Sequence, residues 1–275
     1  KKTLDNLHNP KNPIDINSND YRRLAFDEIF SNFLMLLKAR KTVKTNKIEP
    51  KKFFSNIENK ILKRFPYKLT DGQRKILEQL DRDVSSSSRM FRLIQGDVGS
   101  GKTILALILA GKICSCKYQV AYMAPTDVLA KQQYIQAKNL FQNTGLEVAL
   151  LTSKIKNKKD VINKLTSGKI DIIVGTHALF QKKINFKKLG LIIIDEQHKF
   201  GVRQRIALAK KGGKNCDVLL MSATPIPRSM MMSIYGDMDI SKLTEKPLNR
   251  KEILTLIKPE KKINEIYPLL KKQIS

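Results

Sequence analysis

Gly96-Asp97-Val98-Gly99-Ser100-Gly101-Lys102-Thr103 sits between an apolar run, Phe91 to Gln95, and a helical run, Ile104 to Ile113. The octapeptide fits the pattern G-x-x-x-x-G-K-[ST], and a strand before it with a helix after it is the context that pattern requires. Glycines free the backbone amides to wrap a phosphate at the helix N-terminus, where the helix dipole favours an anion. Lys102 is then placed to reach the β and γ phosphates. Thr103 offers a hydroxyl to a magnesium ion that shares phosphate oxygens. The cofactors expected are ATP and Mg2+.

From Leu69 the chain alternates short apolar segments with longer amphipathic ones, the signature of βαβ units and a mostly parallel sheet flanked by helices. The segments Phe91–Gln95, Val120–Ala124, Val148–Leu151, Ile170–Val174, Leu191–Asp195 and Val218–Met221 read as strands. Helices are expected after Lys102, Thr126, Lys156, Gly201 and Pro227. Upstream, Lys1 to Asp20, with Pro10 and Pro13, reads as an extended connector. Phe26, Ile29, Phe30, Phe33, Leu34 and Leu37 then form the stripe of an amphipathic helix that needs a packing partner. A second helical stretch carries Phe53, Phe54, Ile57, Ile61 and Leu62 and ends before Phe65-Pro66, because proline disfavours helix in the residue before it. The expected division is a connector and helical linker over 1–64, an α/β lobe over 65–250, and over 251–275 the start of a connection to something further.

The second chemical feature is Leu191-Ile192-Ile193-Ile194 ending in Asp195-Glu196. Open α/β sheets bind ligands beyond the carboxyl ends of their strands. Asp195 is placed to hold the magnesium, directly or through water. Glu196 is placed to orient and activate the attacking water as a general base. A carboxylate after a core strand is common by itself; paired with an upstream phosphate loop it points to nucleotide chemistry.

Composition bounds the rest. The 275 residues suffice for an α/β core with a helical appendage. Of 52 basic residues 40 are Lys and 12 are Arg, against 25 acidic ones, a formal charge of +27. Such an excess attracts polyanions, but a genome that favours Lys, Ile and Asn produces it too, and arginine is the stronger mark of phosphate recognition. The clusters Lys154, Lys156, Lys158, Lys159 and Lys182, Lys183, Lys187, Lys188 read as solvated faces. Cys114, Cys116 and Cys216 lack the count and spacing of a disulfide scaffold or a zinc site. They read as free thiols. The apolar run from Ile104 is interrupted by Gly111 and Lys112, so no membrane span is expected. With no secretory h-region at the N-terminus, a cytoplasmic protein is the expectation.

Gln197 and His198 after the acidic pair make the chain resemble a DExH-type superfamily 2 helicase, and further motifs follow in that family's order. Gln73, in Leu69-Thr70-Asp71-Gly72-Gln73, resembles the Q motif, whose glutamine reads the adenine edge. Ala124-Pro125-Thr126 and Gly175-Thr176-His177 resemble the two motifs that grip the nucleic-acid backbone. Ser222-Ala223-Thr224, continuing into Pro225, resembles motif III, which couples nucleotide state to lobe movement. The phosphate loop, DEQHKFGVRQR over Asp195 to Arg205, and MSATPIPR over Met221 to Arg228 are similar to RecG-type branch-migration helicases, with Lys199 standing where arginine is expected. Leu7-His8 and the Phe26 helix resemble the linker that joins RecG's wedge domain to its motor.

The resemblance implies a RecA-like P-loop NTPase lobe preceded by an α-helical linker. It implies Lys102, Asp195, Glu196, Gln197 and His198 as catalytic residues, with nucleotide held by Gln73 and by Gly96, Asp97, Val98, Gly99, Ser100, Gly101, Lys102 and Thr103. The implied partners are double-stranded and branched DNA, with a second helicase lobe and a wedge domain in the same full-length chain, in a monomer without membrane attachment. The lobe alone is expected to bind nucleotide and turn it over poorly. Two rivals are the motor of a transcription-repair coupling translocase, separated by the helical linker, and a nucleotide-switched DNA-binding module that is no motor. A basic nucleic-acid coat domain leaves the phosphate loop and the acidic pair unexplained.

Overall fold

The computed structural model describes residues 18–43, 49–53, 56–155, 157–181, 183–196, 213–224, 238–245, 257 and 259–274. Seven strands form one sheet: β1 (Phe91–Gly96), β2 (Gln119–Met123), β3 (Val148–Leu151), β4 (Ile172–Gly175), β5 (Leu189–Ile194), β6 (Asp217–Ser222) and β7 (Asp239–Leu243). Their order is β3-β4-β2-β5-β6-β1-β7, and every pairing is parallel. A parallel sheet is covered on both faces, which is why its strands read as continuous apolar runs. The alternation is nevertheless present. Tyr122, Ile193, Leu219 and Met221 belong to one core cluster, and Ala121, Met123, Ile192, Ile194 and Leu220 belong to the other.

The helix entered from the phosphate loop, Lys102–Ser115, is buried from Ile104 to Cys114. Such a helix is apolar all round because it has no solvent face. Gly111 permits its close packing: a Cβ there would meet Ile61 Cδ1 at 2.8 Å and Phe141 Cε1 at 3.0 Å. Its buried Lys112 pairs with Glu58 at 2.5 Å and Asp81 at 2.7 Å. In chain order the helices are α1 (Asn19–Val43), α2 (Ile57–Leu62), α3 (Asp71–Ser85), α4 (Lys102–Ser115), α5 (Asp127–Leu140), α6 (Lys158–Ser167) and α7 (Ile266–Ile274).

The structure departs from the sequence reading in several places. Helix α2 is shorter than its apolar stripe, and Phe53 precedes it outside any helix or strand. Phe26, Ile29, Phe30 and Leu34 of α1 are exposed, with Phe26 and Phe30 stacked at 5.7 Å. Cys114 and Cys216 are buried free thiols, whereas Cys116 is half-buried. Three elements, α3, β7 and α7, go beyond the expected set. The expected connector up to residue 17, and the helices after Gly201 and Pro227, lie outside the described residues.

The chain divides into two compact units, Lys1–Glu245 and Lys246–Ser275. In the second, a 3-10 turn over Glu260–Glu265 leads into α7, with Tyr267 and Leu270 exposed. No helix of the described residues is long and apolar enough to cross a membrane.

Candidate nucleotide and nucleic-acid site

The phosphate loop leaves β1, and Asp195-Glu196 leaves β5, with β6 between them in the sheet. Because all the strands are parallel, their carboxyl ends share one rim. Ser222, Ala223 and Thr224 at the end of β6 therefore stand between loop and acidic pair.

In the loop, Gly99 and Gly101 take φ of +77° and +95°, a region that strains residues with a Cβ. Asp97 and Val98 are exposed, whereas Ser100 is buried and its Oγ has no hydrogen-bond partner among the described residues. A buried orphan hydroxyl is costly unless a ligand meets it. The buried Lys102 folds its Nζ onto the carbonyl of Gly96 at 2.5 Å and that of Asp97 at 2.9 Å. Desolvation pulls its pKa down, opposed by the charges of Glu196, Asp195 and Asp97.

Asp195 is buried and lacks a salt-bridge partner among the described residues. Its Oδ1 accepts the Glu196 N–H at 3.1 Å, while Oδ2 faces the Tyr122 hydroxyl at 3.4 Å and Gln133 Nε2 at 3.5 Å. Desolvation first, then the neighbouring charge of Glu196, pushes its carboxyl up to about 6, despite the lowering influence of Lys102. Lys102 and Asp195 thus feel one another without forming a pair. Glu196 sits at φ +49°, an uncommon conformation for a residue with a Cβ and one that clusters at functional sites. The buried Tyr122 hydroxyl also hydrogen-bonds Thr103, and burial beside Asp195 pushes its pKa well up.

The residues present fit a magnesium–triphosphate group. Ser100, Lys102 and the loop amides suit phosphate oxygens; Thr103 and Asp195 supply hard oxygen ligands. Among the described residues no three His, Cys, Asp or Glu cluster to hold a metal alone. Magnesium takes one or two protein oxygens and completes its shell with phosphate and water.

Gln73 lies against the loop rather than on the surface. It forms a capping box with Thr70, its Oε1 accepting the Thr70 N–H at 2.9 Å, while its Nε2 donates to the Ser100 carbonyl at 2.8 Å. Ser222 Oγ lies 2.9 Å from Thr224 Oγ1, and Gln95 of β1 donates to the Thr224 carbonyl at 3.0 Å, joining the β6 turn to the strand that carries the phosphate loop.

The other two predicted loops lie farther along the rim, after β2 and β4. Ala124 and Gly175 are joined by a backbone hydrogen bond of 2.9 Å. Pro125 precedes Thr126, the exposed N-cap of α5, and Thr176 is buried. Asp127 accepts hydrogen bonds from Ser153 Oγ at 3.0 Å and Thr176 Oγ1 at 3.4 Å, so one carboxylate links the loops after β2, β3 and β4. His177 opens a 3-10 turn. Gln197 and His198 lie outside the described residues.

Sequence reasoning did not find Tyr122, Gln133 or Asp127. Tyr122 looks like a core strand residue, and Asp127 like any acidic first-turn residue. Gln133 carried a signal: it interrupts the stripe Ala130, Ala137, Leu140 on the buried face of α5.

Residues 70–232 match the DEAD/DEAH box helicase family. The chain is 41% identical over 254 residues to the ATP-dependent DNA helicase RecG of Thermotoga maritima, spanning 92% of this chain and 32% of that one. To the ATP-dependent DNA helicase RecG of Escherichia coli K12 it is 39% identical over 250 residues, 89% of this chain and 36% of the relative. It thus spans about a third of the length of these curated relatives. A solved structure of RecG bound to a three-way DNA junction superposes with a TM-score of 0.80 at 38% identity, over 93% of this chain and 35% of that one. A DEAD box protein from Methanococcus jannaschii, at 23% identity and a TM-score of 0.55 over 73% of this chain and 57% of that one, shares the fold. With the phosphate loop, the acidic strand end and the all-parallel sheet in place, the chain belongs to the DEAD/DEAH box helicase family, and its lobe is of the RecG type.

Proposed function

We propose that this chain is the ATP-binding lobe of a DNA motor that couples ATP hydrolysis to the remodelling of branched DNA, such as fork regression and Holliday-junction migration, in recombination and repair. The observation that carries the reading is the shared rim: Lys102 and Asp195 come from distant strands, sense one another's charge, and stay unpaired. Two opposite charges left unpaired at a buried site suit a ligand bearing both a metal and phosphates.

In this reading Lys102 leaves its two carbonyl partners for the β and γ phosphates, and the Ser100 hydroxyl and the amides of Gly99 to Thr103 hold the remaining oxygens. Thr103 and Asp195 would hold magnesium, which when bound neutralises charge on the transferring phosphoryl group. Glu196 orients the attacking water and takes its proton. Tyr122 and Gln133 fix the Asp195 carboxylate. An arginine from a second lobe then stabilises the transition state, worth about 10³ to 10⁵ in rate where such arginines are characterised. The second lobe and a wedge domain belong to the longer protein that the relatives' lengths suggest. We place the protein in the cytoplasm, as a monomer. The relatives named above favour this motor over a transcription-repair coupling translocase.

DNA lies across the loops of Ala124 to Thr126 and Gly175 to His177. Contacts to phosphate make its binding indifferent to sequence and strongly weakened by salt. The test is direct. This chain binds Mg·ATP, Lys102→Ala does not at the same concentration, and the lobe alone hydrolyses ATP slowly whether or not DNA is present. Rapid DNA-stimulated turnover by the lobe alone, or nucleotide affinity indifferent to Lys102, overturns the reading.

A further inference from the structure

Glu245, the last residue of the first compact unit, makes contacts that the nucleotide site as described does not use. It follows β7, whose last residue, Leu243, touches the phosphate loop: a Cβ on Gly96 would meet the Leu243 carbonyl oxygen at 2.9 Å and its Cβ at 3.0 Å. Two residues on, the Glu245 carboxylate accepts the Gly72 N–H at 2.8 Å at the start of α3. The Thr70 side chain hydrogen-bonds it as well, and these contacts hold the carboxyl below the usual range.

The bonds continue inward. The Thr70 hydroxyl accepts the Gln73 N–H at 3.2 Å, which leaves its own proton for Glu245. Gln73 in turn donates to Ser100 within the loop. An unbroken path of hydrogen bonds thus runs from Glu245 through Thr70 and Gln73 to Ser100. Gln73 packs directly on Gly101, where a Cβ would lie 2.3 Å from its Nε2. One end of the path joins the loop that would close on phosphate, and the other joins the end of β7.

We propose that Glu245 is a positioning residue which, through Thr70 and Gln73, sets the phosphate loop for nucleotide and passes loop movement to the end of β7. The proposal rests on the nucleotide reading of the site. It adds a residue that touches neither phosphate nor metal.

The test measures Mg·ADP affinity by fluorescence titration, and backbone hydrogen exchange over residues 239–245 with and without Mg·ADP. Glu245→Ala removes the carboxylate. Gly72→Ala breaks the same contact from the other side, because the new Cβ would lie 2.9 Å from Glu245 Cδ, while alanine favours the helix. Glu245→Gln keeps an acceptor. The loss of a solvent-exposed hydrogen-bond link predicts that the two alanine variants bind Mg·ADP about three- to tenfold more weakly and lose nucleotide-dependent protection over 239–245. The glutamine variant stays within about twofold. A purely structural contact would shift the melting temperature alone. If the unaltered chain binds Mg·ADP and both alanine variants bind it equally well with protection intact, the positioning role is wrong. If the unaltered chain binds no nucleotide, the reading of the site falls, and this proposal with it.

Discussion

The sheet carries a buried lysine and a buried aspartate at each of its two rims, and it treats them in opposite ways. At the amino ends of β1 and β6, Lys51 and Asp217 form an ion pair of 2.6 Å with both side chains fully buried. Lys51 also donates to the Asn215 carbonyl at 2.6 Å, and Asp217 accepts the Met90 N–H at 2.7 Å. Lys51 further lies 5.0 Å from the Tyr118 ring centroid. At the carboxyl rim, Lys102 turns to backbone carbonyls, and Asp195 is left with a pKa raised to about 6. A satisfied buried pair specifies structure. An unsatisfied one keeps binding energy in reserve for a ligand, which is what a phosphate and metal site requires.

The largest expected effect tests the paired end. Lys51→Met leaves Asp217 buried without its counter-charge and should cost about 3 to 5 kcal/mol in urea unfolding, with Mg·ADP affinity unchanged in whatever fraction stays folded. Loss of affinity with little loss of stability would reverse the assignment of the two ends. Next comes Lys102→Ala at the open end. Removing a charge-assisted contact to phosphate should weaken Mg·ATP about a hundredfold by calorimetry, about 2.7 kcal/mol, with a smaller change in unfolding free energy.

Asp195→Asn sharpens the contrast, because it should stabilise the fold while destroying metal-dependent binding. A carboxyl raised to about 6 in the fold makes ionised Asp195 unfavourable there. The penalty is present in full above that pH. It fades as pH falls through 6 towards the unfolded value near 4. The variant should therefore gain on the order of 2 kcal/mol at pH 7 to 8 and nothing near pH 4, measured as melting temperature across pH. In the unaltered chain, Mg·ATP affinity should decline below pH 6 as protons compete for Asp195. The smallest effect is Gly101→Ala. At φ +95°, with its new Cβ 2.3 Å from Gln73 Nε2, it should lose about 1 to 2 kcal/mol in the same unfolding experiment. An unchanged midpoint would mean that the loop is softer than its contacts suggest.

The chain's own pattern announced much of this. Glycine spacing before Lys102 and the apolar run ending at Asp195 are local, and local chemistry of that kind is readable because backbone freedom and side-chain charge act wherever the residues are placed. Six of the seven strands were visible as apolar runs, since burial on both faces leaves a continuous signal. Strand β7 was not. Its inward Ser241 donates to Gln79 and accepts from Arg92 at 2.9 Å, so hydrogen bonds replace the apolar alternation that marks a strand. Helix α3 carried two marks, its capping box, Thr70 with Gln73, and the stripe Ile76, Leu77, Leu80 and Val84 at helical spacing. Lys112, which interrupts an apolar helix in the sequence, is intelligible once Glu58 and Asp81 are beside it.

What the sequence alone determined, then, is the inventory: a phosphate loop, an acidic strand end, and the parallel sheet that brings such ends to one rim. What the tertiary structure decided is which charges are neutralised. The phosphate-loop pattern marks Lys102 for phosphate, but nothing in the residues around Lys51 shows that it will be paired, and nothing around Lys102 shows whether a carboxylate will neutralise it. That distinction depends on which distant carboxylate the strand order delivers and on how far each is withdrawn from water, and charge energies in a protein depend on surroundings more than on neighbours in the chain.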